Sequence, residues 1–153
     1  MGLILGIDPG GHCTGFGIIE DTLNYVTCGC IRTRSTILSE RLLEIYQGLD
    51  EIITQYQPTL AAIEQVFVQH NAQSALKLGQ VRGVTLLACS QHALTVYEYA
   101  PTKIKQAIAG HGRAHKQQIQ HMITLLLKLP QTPATDAADA LAVAVCHAHS
   151  QRL

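Results

Sequence analysis

Five acidic residues of this 153-residue chain interrupt otherwise apolar stretches: Asp8, Glu64, Glu98, Asp136 and Asp139. Asp8 ends the run Leu3-Ile4-Leu5-Gly6-Ile7, and Pro9-Gly10 follows at once. An apolar run closed by a turn signal predicts a strand buried on both faces, with the carboxylate at its carboxyl end. Open α/β sheets gather their ligands at that end. An ionised carboxylate there needs a cation or strong donors to offset its burial. The competing reading is a turn residue that caps nearby amides, a common use of Asp. Glu64 is the only charge of Leu60-Ala61-Ala62-Ile63-Glu64. Asp136 and Asp139, three apart on a predicted helix, project from one face. A first-turn carboxylate also complements the helix dipole. That accounts for Asp136 but less well for Asp139, which sits among Ala137, Ala138, Ala140, Leu141 and Ala142. Two strand-end carboxylates and a helical Asp-x-x-Asp suit a hard cation such as magnesium, bound through oxygen. Two such ions about 4 Å apart can activate a water and stabilise the leaving oxygen in phosphodiester hydrolysis. Glu98 resembles Glu64 in context but is followed by no comparable turn, and reads as a decoy.

The elements that must position these groups follow from periodicity. Thr14 to Ile19 predicts a second strand, with Gly15 and Gly17 on one face, open to close approach by another backbone or a ligand. Glu20-Asp21-Thr22 is a polar turn, and Leu23 to Ile31 predicts a third strand, completing an antiparallel meander. Ser39 is placed to cap a helix whose stripe is Leu42, Ile45, Tyr46, Leu49, Ile52, Ile53 and Tyr56. Glu40, Glu44, Gln47, Glu51 and Gln55 then face water, and Pro58 ends the helix. The order strand, helix, strand favours a right-handed parallel crossover, which brings Glu64 beside Asp8. A long helix over 71–91 follows, rich in small and aliphatic residues that suit the sheet or a second subunit. A strand over 94–99, a short helix from Pro101 to Gly110 and a flexible link His111-Gly112-Arg113 come next. Helices over 115–128 and 136–149 complete the chain, the last capped by Thr135. The fold class is α/β, a mixed central sheet of antiparallel meander and parallel strands flanked by helices.

Composition bounds the rest. With 47% hydrophobic and 14% charged residues, residues 1–153 read as one compact domain. Lys+Arg 11 against Asp+Glu 11 balances the charge, so composition does not announce a nucleic-acid partner. Five cysteines without a Cys-x-x-Cys argue against a disulfide framework or a zinc site, and all five read as small buried hydrophobes. The first apolar run is too short and lacks the basic lead of a signal peptide, and no stretch reaches membrane-spanning length. These features predict a cytoplasmic, non-membrane protein.

Several motifs together resemble the RuvC family of Holliday junction resolvases. They are Gly6-Ile7-Asp8-Pro9-Gly10 with Thr14-Gly15, Ile63-Glu64-Gln65-Val66-Phe67, Asn71-Ala72 with Ser74-Ala75-Leu76-Lys77-Leu78-Gly79-Gln80, and Asp136-Ala137-Ala138-Asp139-Ala140-Leu141-Ala142. The resemblance runs from about residue 2 to residue 149, with the acidic motifs in the family's order. It implies a ribonuclease H-like fold and a homodimer that nicks two opposed strands of a four-way DNA junction, leaving 5'-phosphate and 3'-hydroxyl ends. It implies two Mg2+ per subunit, with Mn2+ able to substitute, and a junction-binding branch-migration complex as partner. On it, Asp8, Glu64, Asp136 and Asp139 match metal-binding catalytic carboxylates. Phe67 matches an aromatic placed against bases at the junction centre; a core phenylalanine is the competing reading, but a place just past the strand end suits stacking on unpaired bases. Lys105 and Lys116 match basic residues near the scissile phosphate, and Arg113, His12 and His70 join the DNA-facing set. Where the family commonly has Ser-Arg after Asp-Pro-Gly, this chain has Gly11-His12, and where a Lys often precedes Asn71 it has His70. The polar tail of many relatives is missing after Leu153. These departures remove positive charge from the DNA face. A non-catalytic junction-binding module would not need four intact carboxylates. An actin-like ATPase would need a second domain to close over nucleotide.

A histidine beside phosphate gains its proton near neutrality, its ordinary value being near 6.5. Each cation that neutralises a phosphate also steepens the salt dependence of binding. Metal-free junction affinity is therefore expected to rise from about pH 8 to about pH 6. A His12→Gln, His70→Gln double variant should lose that rise; an unchanged pH profile would show that these histidines do not supply the missing charge.

Overall fold

The structure is a computed structural model that describes residues 2–66 and 71–152. Phe67 and His70 lie outside the described residues. Strands β1 (Leu3–Asp8), β2 (Cys13–Glu20) and β3 (Tyr25–Arg32) form the meander, both pairings antiparallel. The third strand begins after Leu23, because Leu23 takes a left-handed conformation (φ 74°) and its amide donates to the Glu20 carbonyl to close the turn. Helix α1 (Leu38–Tyr56) leads to β4 (Leu60–Glu64), which pairs parallel with β1 as the crossover predicts. Helix α2 (Ala72–Gln91) leads to β5 (Thr95–Tyr99), parallel to β4, and the sheet order is β3-β2-β1-β4-β5. Helices α3 (Pro101–Ala109), α4 (Lys116–Leu126) and α5 (Thr135–Ser150) follow.

Three local expectations need correction. Ser39 does not cap α1: Ile37 precedes the helix and offers no side-chain cap. The entry is held one step earlier, where the Ser35 hydroxyl accepts the Ile37 amide at 3.1 Å. Glu44, read as merely solvated, accepts the backbone amides of Arg34 at 2.7 Å and Ser35 at 3.2 Å. Thr135 is the first residue of α5 and not its cap, and the preceding Ala134 makes no side-chain bond. By contrast Asn71 does cap α2, its side chain accepting from the amides of Gln73 and Ser74. Of the five cysteines only Cys89 and Cys146 are buried; Cys13, Cys28 and Cys30, on the outer strand pair, are half-buried.

The sheet divides two apolar layers, as strand alternation requires. Leu5, Ile7 and Ile18 pack with Ile45, Leu49 and Ile53 of α1 and with Val81 and Ala88 of α2. Ile4, Ile19 and Ala62 face the other way, onto Ile104, Ile108, Ile119, Ile123 and the body of α5. Helix α5 is the innermost helix, buried almost continuously from Ala137 to Ala148. Its backbone lies directly on β1 and β2. A β-carbon on Gly6 would strike the Ala140 carbonyl, one on Gly15 the Asp136 carbonyl, and one on Gly17 the Leu141 side chain. Among the described residues no helix is long and apolar enough to cross a membrane.

Gly6→Ala is expected to destabilise the fold by about 3 kcal/mol or more, because its contact is helix backbone that has no rotamer to yield. Gly112→Ala, whose added carbon would meet Thr102 only at ordinary contact distance, 3.5 Å, is the control and should be close to neutral. Equal melting temperatures for the two variants would show that α5 can move off the sheet without loss.

Candidate active site

Parallel pairing puts the carboxyl ends of β1 and β4 side by side. The register runs Ile7 opposite Ile63, so Asp8 and Glu64 leave the same end of the sheet. Just beyond Asp8 the buried Thr14 hydroxyl donates to the Gly10 carbonyl at 2.9 Å and accepts the Gly10 amide at 3.2 Å. The turn amide is therefore satisfied by Thr14 rather than by Asp8, which answers the capping reading. The Gly11 carbonyl accepts from Arg41 Nη2 at 2.7 Å and from the Thr33 hydroxyl at 3.0 Å, so α1 and β3 brace the same turn.

Asp8, Glu64 and Asp139 line one cleft of about 490 Å3. Lys105 of α3, Lys116 and His115 at the start of α4, Pro101, Ile104 and Ile119 form its opposite wall. Lys116 Nζ stands 3.8 Å from Asp139 Oδ2, while its own side chain is largely in solvent. At that distance and exposure the pair contributes little to stability and is free to serve another anion. Arg113 is exposed in the turn before α4 and does not line the cleft, and His12 is exposed on the loop after β1. Phe67 and His70 fall outside the described residues.

The two aspartates of α5 part company. Asp139 faces the cleft, whereas Asp136, one turn earlier, is absent from its lining and lies against Cys13 and Cys30. Ligand atoms of Cys13, Cys30 and Asp136 all lie within 4.8 Å of one another. Burial, and then the neighbouring Cys30 and Asp136, push the Cys13 thiol up to about 12. Asp136 nevertheless remains electrically part of the acidic group, since it raises the affinity of both Asp8 and Asp139 for protons.

Asp8 carries the largest consequence of this crowding. Burial first, then the charges of Asp139, Asp136 and Glu64, raise its carboxyl to about 7, against a smaller lowering by Lys116. Glu64 is raised by burial and Asp139, opposed by Lys105, Lys116 and Arg82. Asp139 is raised by burial, with Lys116 the strongest opposing charge. A half-buried set of carboxylates held above its ordinary range is short of positive charge. Its donors are hard oxygens, which fit a divalent cation of the magnesium class and not a soft one. Asp8, Glu64 and Asp139 share the cleft and are the residues that would hold such an ion, but among the described residues only Cys13, Cys30 and Asp136 bring three ligand atoms within 4.8 Å of one another.

Arg82 escaped the sequence reading. It donates to the Glu64 carbonyl at 2.6 Å and pairs with the Glu98 carboxylate, in a second hollow that also touches Asp8 and Glu64. Glu98 is thus engaged by Arg82 and lines neither hollow. The sequence signal for Arg82 was that it is one of two cations, with Lys77, on a helix of small and aliphatic residues. His147 is buried with its Nδ1 2.6 Å from the Tyr99 hydroxyl, away from the cleft.

The raised Asp8 has a signed effect on metal-free stability. Its proton is held more tightly folded than unfolded, so the contribution is full below about pH 4 and is lost as pH rises through about 7. Asp8→Asn in chelator should therefore raise the melting temperature at pH 8, on the order of 5 °C, with the gain shrinking towards pH 4. A thermal melt with no gain at pH 8 would mean that Asp8 is not held under repulsion.

Residues 4–147 match the family model described as crossover junction endodeoxyribonuclease RuvC. A crossover junction endodeoxyribonuclease RuvC of Vibrio vulnificus (strain YJ016) is 54% identical, over 99% of this chain and 90% of that protein. The protein of the same name from Klebsiella pneumoniae subsp. pneumoniae is 55% identical, over 97% of this chain and 88% of that protein. Among solved structures, Thermus thermophilus RuvC in complex with Holliday junction substrate superimposes with a TM-score of 0.91 at 31% identity, covering 99% of this chain and 96% of that one. The yeast mitochondrial Holliday junction resolvase, at 12% identity and a TM-score of 0.67, shares the fold. The ribonuclease H-like architecture is therefore established together with the lineage: this chain belongs to the RuvC family of crossover junction endodeoxyribonucleases.

Proposed function

We propose that this protein is a structure-selective endonuclease that resolves four-way DNA junctions by paired, symmetrical nicks. The observation that carries the reading is one open cleft with carboxylates from three elements on one side and Lys105 and Lys116 on the other. Asp8, Glu64 and Asp139, with Asp136 beside them, are proposed to hold two Mg2+ ions, Mn2+ being an acceptable substitute. When bound, a pair of such ions supplies an activated water and charge stabilisation for the leaving oxygen. The chain's own residues do the rest. Lys116, at the exposed tip of α4, is set to meet a phosphate oxygen, and Lys105 neutralises the backbone from α3. Water adds to phosphorus, the bond from phosphorus to the 3' oxygen breaks, and that oxygen takes up a proton. The products are 5'-phosphate and 3'-hydroxyl ends. Because Asp8 carries a proton near neutrality, loading the cleft with a divalent ion displaces that proton, and affinity for the ion weakens below about pH 7.

Symmetrical nicks need two active sites, and we propose a homodimer. Its support is the outer face of α2, where Leu76 and Leu87 are exposed by 65% and 55% and Gly79 and Gly83 meet nothing within 4 Å. Such a face lets a second helix approach closely. Phe67, three positions after Glu64 in sequence, with Arg113, His12 and His70 complete the proposed DNA-facing set, and residues 1–153 are taken as one nuclease domain. A branch-migration complex is the proposed assembly partner and the cytoplasm the proposed compartment.

The test is a labelled four-way junction beside a matched linear duplex, with and without magnesium. Wild type should nick opposed strands of the junction only, and only with the metal. Asp8→Asn and Asp136→Asn should lose nicking while keeping junction binding, which rests on cations and shape. Magnesium-dependent nicking by either variant would remove that carboxylate from the site, and binding without any nicking by wild type would favour the non-catalytic module.

A further inference from the structure

Cys13 and Cys30 have no role in the nuclease reading, yet they form a cluster with Asp136. It arises from the register of the outer strand pair. Cys13 stands opposite Arg32 and Gly15 opposite Cys30, so the two cysteines are diagonal neighbours on the face that α5 covers. Gly15, lying between them in register, has no side chain, and the Asp136 carbonyl occupies the place a β-carbon would take. The first turn of α5 therefore comes down onto the strand pair and sets the Asp136 carboxylate against both sulfurs. All three side chains are half-buried, so the cluster is reachable from solvent.

We infer that Cys13, Cys30 and Asp136 are a binding site for a thiophilic divalent cation of the zinc class, and that an ion held there takes Asp136 away from the nuclease cleft. Zinc bonds of about 2.3 Å to sulfur and about 2.1 Å to oxygen, at tetrahedral angles, put ligand atoms roughly 3.5–3.8 Å apart. The present spread, within 4.8 Å, reaches that by side-chain adjustment alone. Water fills the fourth position. Both thiols release their protons to solvent on binding. The hard oxygen donors of Asp8, Glu64 and Asp139 and the two sulfurs select different ions, and Asp136 stands between the two sets. An Asp136 carboxylate held by an ion on the two sulfurs would be kept against the strand pair and out of the cleft. The inhibitory half of this inference rests on the proposed role of Asp136 in nicking; the binding half does not.

The test uses the full chain with its thiols kept reduced. Cobalt, added as a zinc surrogate, should give a thiolate-to-cobalt charge-transfer band in wild type and in Cys28→Ser. The band should be absent from Cys13→Ser, Cys30→Ser, whose circular dichroism melt confirms folding. Cys13→Ser alone, at the first residue of a strand, guards against misfolding of the double variant. It should weaken zinc binding by at least about 10–100-fold, the loss that even an outer partner of a metal ligand causes. In magnesium, added zinc should suppress junction nicking by wild type and Cys28→Ser but not by the double variant. No cobalt band in folded wild type, or a band that survives in the double variant, overturns the site. A normal band with equal zinc suppression of both proteins overturns the competition for Asp136. Wild type that binds cobalt as described yet never nicks with magnesium would count against the nuclease reading and leave the thiolate site standing.

Discussion

The direct contact of the α5 backbone with the central strands is the constraint on which the rest of this molecule depends. Gly6, Gly15 and Gly17 leave no side chains beneath the helix, and the Asp136 and Ala140 carbonyls sit where β-carbons would be. A helix kept at ordinary side-chain distance would carry Asp139 away from Asp8. Close packing fixes the acidic group more rigidly than loops could, because the interior has no slack to absorb a shift. The alanine-rich sequence of α5 answers the same demand from the helix side, with Ala137, Ala138, Ala140 and Ala144 all buried.

That rigidity concentrates negative charge and leaves it uncompensated. Asp8 is pushed up to about 7 by its burial first, and then by the charges of Asp139, Asp136 and Glu64. Lys116 opposes that rise and stands 3.8 Å from Asp139, whereas Lys105 acts on Glu64 and Asp139; both come from the helices that line the cleft. Charge is thus segregated across a cleft although the chain as a whole carries none. A phosphodiester backbone and divalent cations both fit this field, one on each wall. Zero net charge therefore says little about a site whose two walls differ in sign.

Neighbouring elements hold the site's supports rather than its chemistry. Arg82 ties the end of β4 to β5 by joining the Glu64 carbonyl to the Glu98 carboxylate. Thr33 and Arg41 donate to the Gly11 carbonyl, and Thr14 donates to the Gly10 carbonyl while accepting the Gly10 amide, a donor that would otherwise compete for the Asp8 carboxylate.

Patterning in the chain determined the strands, their order and the pairing of β1 with β4, because an apolar run, a turn signal and a crossover each follow local rules. The isolation of Asp8, Glu64 and Asp139 among apolar neighbours was legible for the same reason: burial of charge stands out in one dimension. Helix starts were less so, as Ser39 and Thr135 show, since a capping residue competes with bonds that reach in from elsewhere, such as Glu44 to the amides before α1. Only tertiary structure decided that Asp136 and Asp139 face different neighbours. Residues three apart share a helix face, yet the sheet beneath changes from the β1 strand end to the Cys13 and Cys30 pair within that one turn. The partnership of Arg82 with Glu64, and of two cysteines seventeen positions apart with a carboxylate more than a hundred further on, depends on register and helix docking, which no local pattern encodes.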